Sequence, residues 1–194
     1  MGWSMVPNTE DPTAKALSRP PSKLASETAA GASRSYVALL REVNVGGTGK
    51  LPMGDLKEVR RTGFASVRTY IASGNVVFMT DRSEGEVKRA LEERLHVYTG
   101  KPVRVILRTA LEIADVLRAN EFPNEPGNRT VALFLDDSPP ADIFATVKNR
   151  RHERLALGKR AIYVASDTSK LAIPAAATGT ARNMNTVAKL AELS

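Results

Sequence analysis

Val67-Arg68-Thr69-Tyr70-Ile71-Ala72-Ser73-Gly74-Asn75-Val76-Val77-Phe78 decides the fold of this chain. Val67 to Ala72 and Val76 to Met79 are β-branched, aromatic and apolar runs of strand length. Ser73-Gly74-Asn75 between them supplies the small residues of a hairpin connection. Upstream, Tyr36 to Val43 reads as a strand. Met53, Leu56 and Val59 then carry helical spacing, closed by Gly63, with Phe64 packing back beyond it. Downstream, Val87, Leu91, Leu95 and Tyr98 form the apolar stripe of a helix ending at Gly100, and Val103 to Leu107 is a further strand. The order β-α-β-β-α-β is the split unit of ferredoxin-like folds.

The second part repeats the order. Ala110 to Ala119 predicts a bridging helix through Ile113, Val116 and Leu117, and Val131 to Leu135 a strand. A helix is expected near Ala141 to Lys148, using Ile143, Phe144 and Val147. Leu155 to Leu157 and Ile162 to Ala165 make a hairpin around Gly158-Lys159. A short helix starts near Pro174, a favourable first-turn residue, and a strand spans Thr178 to Arg182. Asn183 or Asn185 caps a last helix carrying Val187, Leu190 and Leu193. The expectation is an α+β protein of two ferredoxin-like (α/β-plait) halves, residues 35–108 and 109–194, with helices packed on antiparallel sheets. Residues 1–34, with Pro7, Pro12, Pro20 and Pro21 and no apolar period, read as a disordered extension.

Composition narrows the function. The chain has 194 residues, 42% of them hydrophobic and 25% charged, which is ordinary globular material. No apolar run approaches the ~18–20 residues of a membrane span, and Met1 to Pro7 lacks the basic-then-apolar order of a secretory signal. Cysteine is absent and only two histidines exist, which removes disulfides, thiolate catalysis and cysteine metal sites. A cytoplasmic protein without cofactor or metal is expected. The net charge of +7 favours an acidic partner. It is uneven: residues 35–108 carry +5 and residues 109–194 carry +1, yet Lys148, Arg150, Arg151, Arg154, Lys159 and Arg160 crowd one stretch.

Four short motifs resemble the domain-of-unknown-function family 1697, found mainly in bacteria. They are Asn44-Val45-Gly46-Gly47 with Met53; Arg68-Thr69-Tyr70 leading into Ser73-Gly74-Asn75-Val76; Ser169-Lys170-Leu171; and Arg182-Asn183-Met184-Asn185-Thr186 with Lys189-Leu190. They run in order, and the likeness extends from Ser35 to the end of the chain. Two positions depart: Glu42 stands where the family usually has Gly, and Met184 where it usually has Trp. The resemblance implies paired ferredoxin-like domains and brings no reaction, substrate or cofactor.

In a split unit the first two strands run parallel with the third between them. The loop after the first strand and the hairpin after the second therefore share one end of the sheet. That places Asn44, Gly46, Gly47 and Lys50 near Ser73, Gly74 and Asn75, where glycine amides, a lysine and small polar groups suit a phosphate or carboxylate. The bland alternative is that these residues only shape two turns. Gly46-Gly47-Thr48-Gly49-Lys50 lacks the spacing of a P-loop. Arg182 and Asn183 precede a helix N-terminus, again a natural anion position, although an asparagine cap and one surface arginine explain them better. If Lys170 and Arg182 reach the first loop, the motifs form one site.

The favoured function is therefore binding of an anionic, phosphate-bearing ligand through Asn44, Gly46, Gly47, Lys50, Arg68, Ser73, Asn75, Lys170, Arg182 and Asn183. The rival is a nucleic-acid-binding module gripping phosphates with Lys148, Arg150, Arg151, Arg154, Lys159 and Arg160. Sheet-face stacking on RNA would draw on Tyr36, Tyr70 and Phe78, the only rings in the three leading strands. A third reading is a protein-interaction scaffold. Whether the chain is an enzyme stays open: His96, His152 and Asp136-Asp137 form no triad, metal set or carboxylate dyad. If it is one, Lys50 or Arg68 would stabilise charge on a small phosphorylated or carboxylated substrate.

Overall fold

The strands follow the alternation of their side chains. In a computed structural model that describes residues 32–41, 63–70, 74–166 and 171–194, β1 (Arg34–Leu40), β2 (Ala65–Tyr70), β3 (Asn75–Thr80) and β4 (Val105–Thr109) form one antiparallel sheet in the order β2-β3-β1-β4. β5 (Thr130–Phe134), β6 (Arg154–Leu157), β7 (Ala161–Ala165) and β8 (Thr180–Asn183) form a second in the order β6-β7-β5-β8. The permutation is the same in both sheets and is that of a ferredoxin-like unit, so the α+β expectation holds. Residues Gly31–Ser194, which contain both sheets, make one compact unit.

Three α-helices stand among the described residues: α1 (Glu84–Thr99), α2 (Ala110–Arg118) and α3 (Met184–Leu193). Each start is written locally. Ser83 and Glu86 form a reciprocal capping box on α1, Thr109 and Glu112 form one on α2, and Asn183 caps α3 by accepting the Thr186 N–H. Gly100 ends α1 at φ 68°, the left-handed cap a glycine adopts without a Cβ clash.

Successive residues of a strand face opposite ways, and β1 is buried on both faces as a result. Tyr36, Ala38 and Leu40 pack with Phe78 against Val87, Leu91 and Leu95 of α1. Val37 and Leu39 face the other way and share a core with Phe134 and Tyr163 of the second sheet, Ile113 of α2, and Val187 and Leu190 of α3. The two sheets are thus joined through one apolar layer. On the far face of the second sheet, Leu133, Ile162 and Val164 are covered by Ile143, Leu171 and Ile173.

Several expectations need correction. β1 runs from Arg34 to Leu40, and the expected continuation to Val43 passes, from residue 42 on, outside the described residues. Tyr98 is 46% exposed, because the last turn of α1 runs past the sheet it packs on. The segment near Ala141 to Lys148 holds only a 3₁₀ turn at Ile143–Thr146, whereas the short helix expected at Pro174 is present as a 3₁₀ turn, Pro174–Ala177. Each offers one turn of apolar contact to the second sheet, too little to propagate an α-helix. β8 starts at Thr180, two residues later than expected. The helix assigned to Met53, Leu56 and Val59 lies outside the described residues.

Candidate functional site

Arg182 ties the two sheets together at the end where the motifs were expected to meet. It stands on β8 with Thr180 on the same face, two residues apart. Its side chain is buried and donates in three directions. Nε donates to Asn75 Oδ1 at 2.7 Å, Nη2 to the Leu40 carbonyl at 3.0 Å, and Nη1 to Thr180 Oγ1 and the Ala181 carbonyl, both at 2.8 Å. Leu40 is the last residue of β1 and Asn75 the first of β3. One guanidinium therefore links Arg182 of the last motif with Asn75 of the Ser-Gly-Asn motif, at the strand end that leads toward Asn44.

The first sheet is built to receive it. Leu40 N–H donates to the Gly74 carbonyl at 2.8 Å, so β1 ends directly against the β2–β3 hairpin. Gly74 turns that hairpin at φ 72°, a value glycine adopts without strain. Asn75, 1% exposed, closes the turn by donating Nδ2 to the Tyr70 carbonyl at 3.1 Å, which aims its Oδ1 at Arg182. Arg41, one residue beyond β1, donates to the Ala177 carbonyl and makes a second link, to the 3₁₀ turn that precedes β8. Burial lowers the Arg182 guanidinium to about 10, so it remains a cation at neutral pH.

The remaining site residues divide into three groups. Asn183 spends its side-chain oxygen on the Thr186 N–H at 2.9 Å, and the Met184 N–H is taken by the Gly127 carbonyl. Those two donors at the start of α3 are therefore already used within the protein. Arg68 is exposed on β2. Asn44, Gly46, Gly47, Lys50, Ser73 and Lys170 lie outside the described residues. Of the proposed set, Asn75 and Arg182 are brought together.

The basic stretch is less available than its sequence suggests. Arg160 binds Glu84 through Nη2 at 2.7 Å and Glu112 through Nη1 at 3.1 Å, and donates Nε to the Asp136 carbonyl at 2.7 Å. Its charge is held above the ordinary arginine value chiefly by the Glu84 hydrogen bond. Arg154 pairs with Glu125 and lies over the Phe122 ring, 4.9 Å from its centroid. Arg150 donates Nε to the Glu153 carbonyl. The rings fare no better as a platform. Tyr36 and Phe78 are core residues under α1, and Tyr70 packs partly buried against the layer between the sheets.

Arg41, Thr180 and the Leu40 carbonyl were missed by sequence reading. Thr180 carried a usable signal, since a Thr-x-Arg pair in a strand shares one face. A carbonyl partner carries none. Among the described residues no group of three or more His, Asp or Glu side chains is placed to hold a metal ion, and no helix is long and apolar enough to cross a membrane.

A family model described as "Protein of unknown function (DUF1697)" matches residues 34–163, from β1 into β7. Arg182 and its motif fall beyond that span. Comparison with curated proteins finds no match. Among solved structures, a conserved bacterial protein from Streptococcus pneumoniae is similar with a TM-score of 0.70 at 24% identity, over 84% of this chain and 99% of that one. Likeness at that identity extends to the fold.

Proposed function

This chain belongs to the DUF1697 family, whose description assigns no reaction, and from the geometry of its own residues we propose that it is a cytoplasmic binding protein for a small phosphate-bearing anion. One observation carries the reading: Arg182 crosses from β8 to Asn75 and to the Leu40 carbonyl, at the strand end leading toward Asn44, Gly46, Gly47 and Lys50. In this reading the glycine amides and Lys50 hold the anion, with Ser73 and Lys170 at its edge. Arg182 and Asn75 form the floor. The fork of Arg182 is largely spent on protein oxygens, so it positions the strand ends and adds positive potential rather than clasping the ligand. Arg68 and Asn183 take no part in the floor.

The test is calorimetric titration with inorganic pyrophosphate and a panel of nucleotides. Lys50→Ala is expected to weaken binding at least about tenfold, because a charged hydrogen bond contributes ~1.5–3 kcal/mol and ~1.4 kcal/mol is tenfold. A wild-type protein that binds none of them, or a Lys50→Ala protein that binds as wild type does, overturns the reading. Salt separates the rival. Phosphate-backbone binding falls steeply with ionic strength, so salt-sensitive binding of labelled RNA or DNA would favour the nucleic-acid module instead.

A further inference from the structure

Each sheet ends in a strand that carries one buried arginine, and the two arginines are bound on one plan. Arg182 of β8 donates to the Leu40 carbonyl at the end of β1 and to the carbonyl of the residue before it, Ala181. Arg108 of β4 donates to the Leu135 carbonyl just past β5 and to the carbonyl of the residue before it, Leu107. The registers make these positions equivalent. Ala38 faces Leu107 in the first sheet and Leu133 faces Ala181 in the second, so Leu40 stands to β1 as Leu135 stands to β5. Leu40 N–H donates to the Gly74 carbonyl at 2.8 Å, and Leu135 N–H to the Arg160 carbonyl at 3.0 Å. Gly74 and Arg160 are therefore counterparts. Each arginine also precedes a helix cap, Thr109 with Glu112 in one case and Asn183 with Thr186 in the other.

The plan is shared and the charges are not. Gly74 has no side chain and Thr186 is neutral. Their counterparts are a cation and an acid: Arg160 occupies the place of Gly74 and Glu112 that of Thr186. Arg160 lies between Glu112 at 3.1 Å and Glu84 of α1 at 2.7 Å. Arg108 beside it is 1% exposed. Its Nε–H and one Nη1–H have no acceptor among the described residues, and it lines a cavity of about 60 Å³ with Glu112, Arg160 and Tyr163. Burial, and then the like charge of Arg160, lower the Arg108 guanidinium to about 10.

We propose that the Arg108 junction is a second place for a small oxyanion of the phosphate class, built on the plan of the Arg182 junction and held shut by the protein's own carboxylates, Glu84 and Glu112. Their oxygens stand where the oxygens of a bound anion would stand, against Arg160 and beside Arg108. The Lys88–Asp136 pair at 2.6 Å borders the junction and leaves its charge balance unchanged.

The test opens the place without removing a cation. In Glu84→Ala/Glu112→Ala the two side chains that fill the place are removed and both arginines lose their counter-ions, while the Thr109 N-cap of α2 remains. Titration with inorganic phosphate is expected to show one bound equivalent more than the wild type. The melting temperature should also rise with phosphate more than wild type's does, against sodium chloride at matched ionic strength. Equal stoichiometry and an equal phosphate response in the two proteins overturn the proposal. If the double variant does not fold, Glu84→Ala alone is read in the same way. Failure of the anion reading at the Arg182 junction leaves this comparison intact, since only the difference between variant and wild type reports on Arg108.

Discussion

Replacing Arg182 by methionine sets two large terms against each other. Keeping the cation buried is costly: a guanidinium lowered to about 10 by burial corresponds to a penalty of about 3 kcal/mol, which the variant recovers. The variant forfeits hydrogen bonds to Asn75 Oδ1, the Leu40 carbonyl, Thr180 Oγ1 and the Ala181 carbonyl. Bonds from a charged donor contribute ~1.5–3 kcal/mol each, and acceptors left buried without a donor add their own penalty. The second term wins, and the net loss expected is about 4 kcal/mol, in the range found when one partner of a buried charged contact is removed. Against a total of ~5–15 kcal/mol for a folded domain, that is a severe change. Urea unfolding at neutral pH measures it, and Asn75→Ala completes a double-mutant cycle expected to show a coupling above about 1 kcal/mol. A loss below about 1 kcal/mol, or no coupling to Asn75, would refute the view that this guanidinium joins the sheets.

Two further substitutions probe the frame around the junctions. Gly179→Ala would put a Cβ 2.6 Å from the Phe134 carbonyl and 2.9 Å from Leu133 Cδ1. Backbone cannot yield as a side-chain tip can, so a loss above about 2 kcal/mol is expected by urea unfolding, in line with overpacking; a neutral result would mean β8 shifts freely on β5. Glu112 gives a pH signature. Burial pushes its carboxyl up, but the Thr109 N–H and the charges of Arg108 and Arg160 together outweigh it and hold the group below its ordinary value. Its contribution is therefore complete above the ordinary glutamate value of ~4.3 and is lost as pH falls through the lower folded value. The stability gap between wild type and Glu112→Gln should shrink between pH 6 and pH 3, and a gap constant over that range would contradict the ion pair with Arg160.

Much of the fold was legible because its signals are local. Val67 to Phe78 announces a hairpin through Gly74, and Val87, Leu91 and Leu95 mark one helix face that ends at Gly100. The 3₁₀ turn at Ile143–Thr146 was misread as a longer helix because a single apolar turn, Ile143 and Phe144, carries the same spacing as the first turn of one. Residues of the candidate site were legible as motifs, since glycine, asparagine and arginine at strand ends are recognisable one by one. Their meeting was not. Nothing in the neighbourhood of Arg182 names Asn75 as its partner, 107 positions away.

A repeat was present in the sequence all the same, hidden by how little of it is identity. Arg108-Thr109-x-x-Glu112-Ile113 and Arg182-Asn183-x-x-Thr186-Val187 share one arginine, a capping residue and a buried β-branched residue, Ile113 and Val187, each fully buried. The arginine is the informative member, because a strand interior selects against charge unless geometry demands it. At Arg182 the demand is for donors in three directions from one plane, toward β1, β3 and its own strand. A guanidinium meets it, and an ammonium, with one nitrogen, does not. The two arginines share bonds to the carbonyl of the preceding residue and to a carbonyl at the end of the other sheet's first strand, while the residues facing them differ. One junction holds Arg160, Glu84 and Glu112, and the other has Gly74 and Thr186 in the places of Arg160 and Glu112.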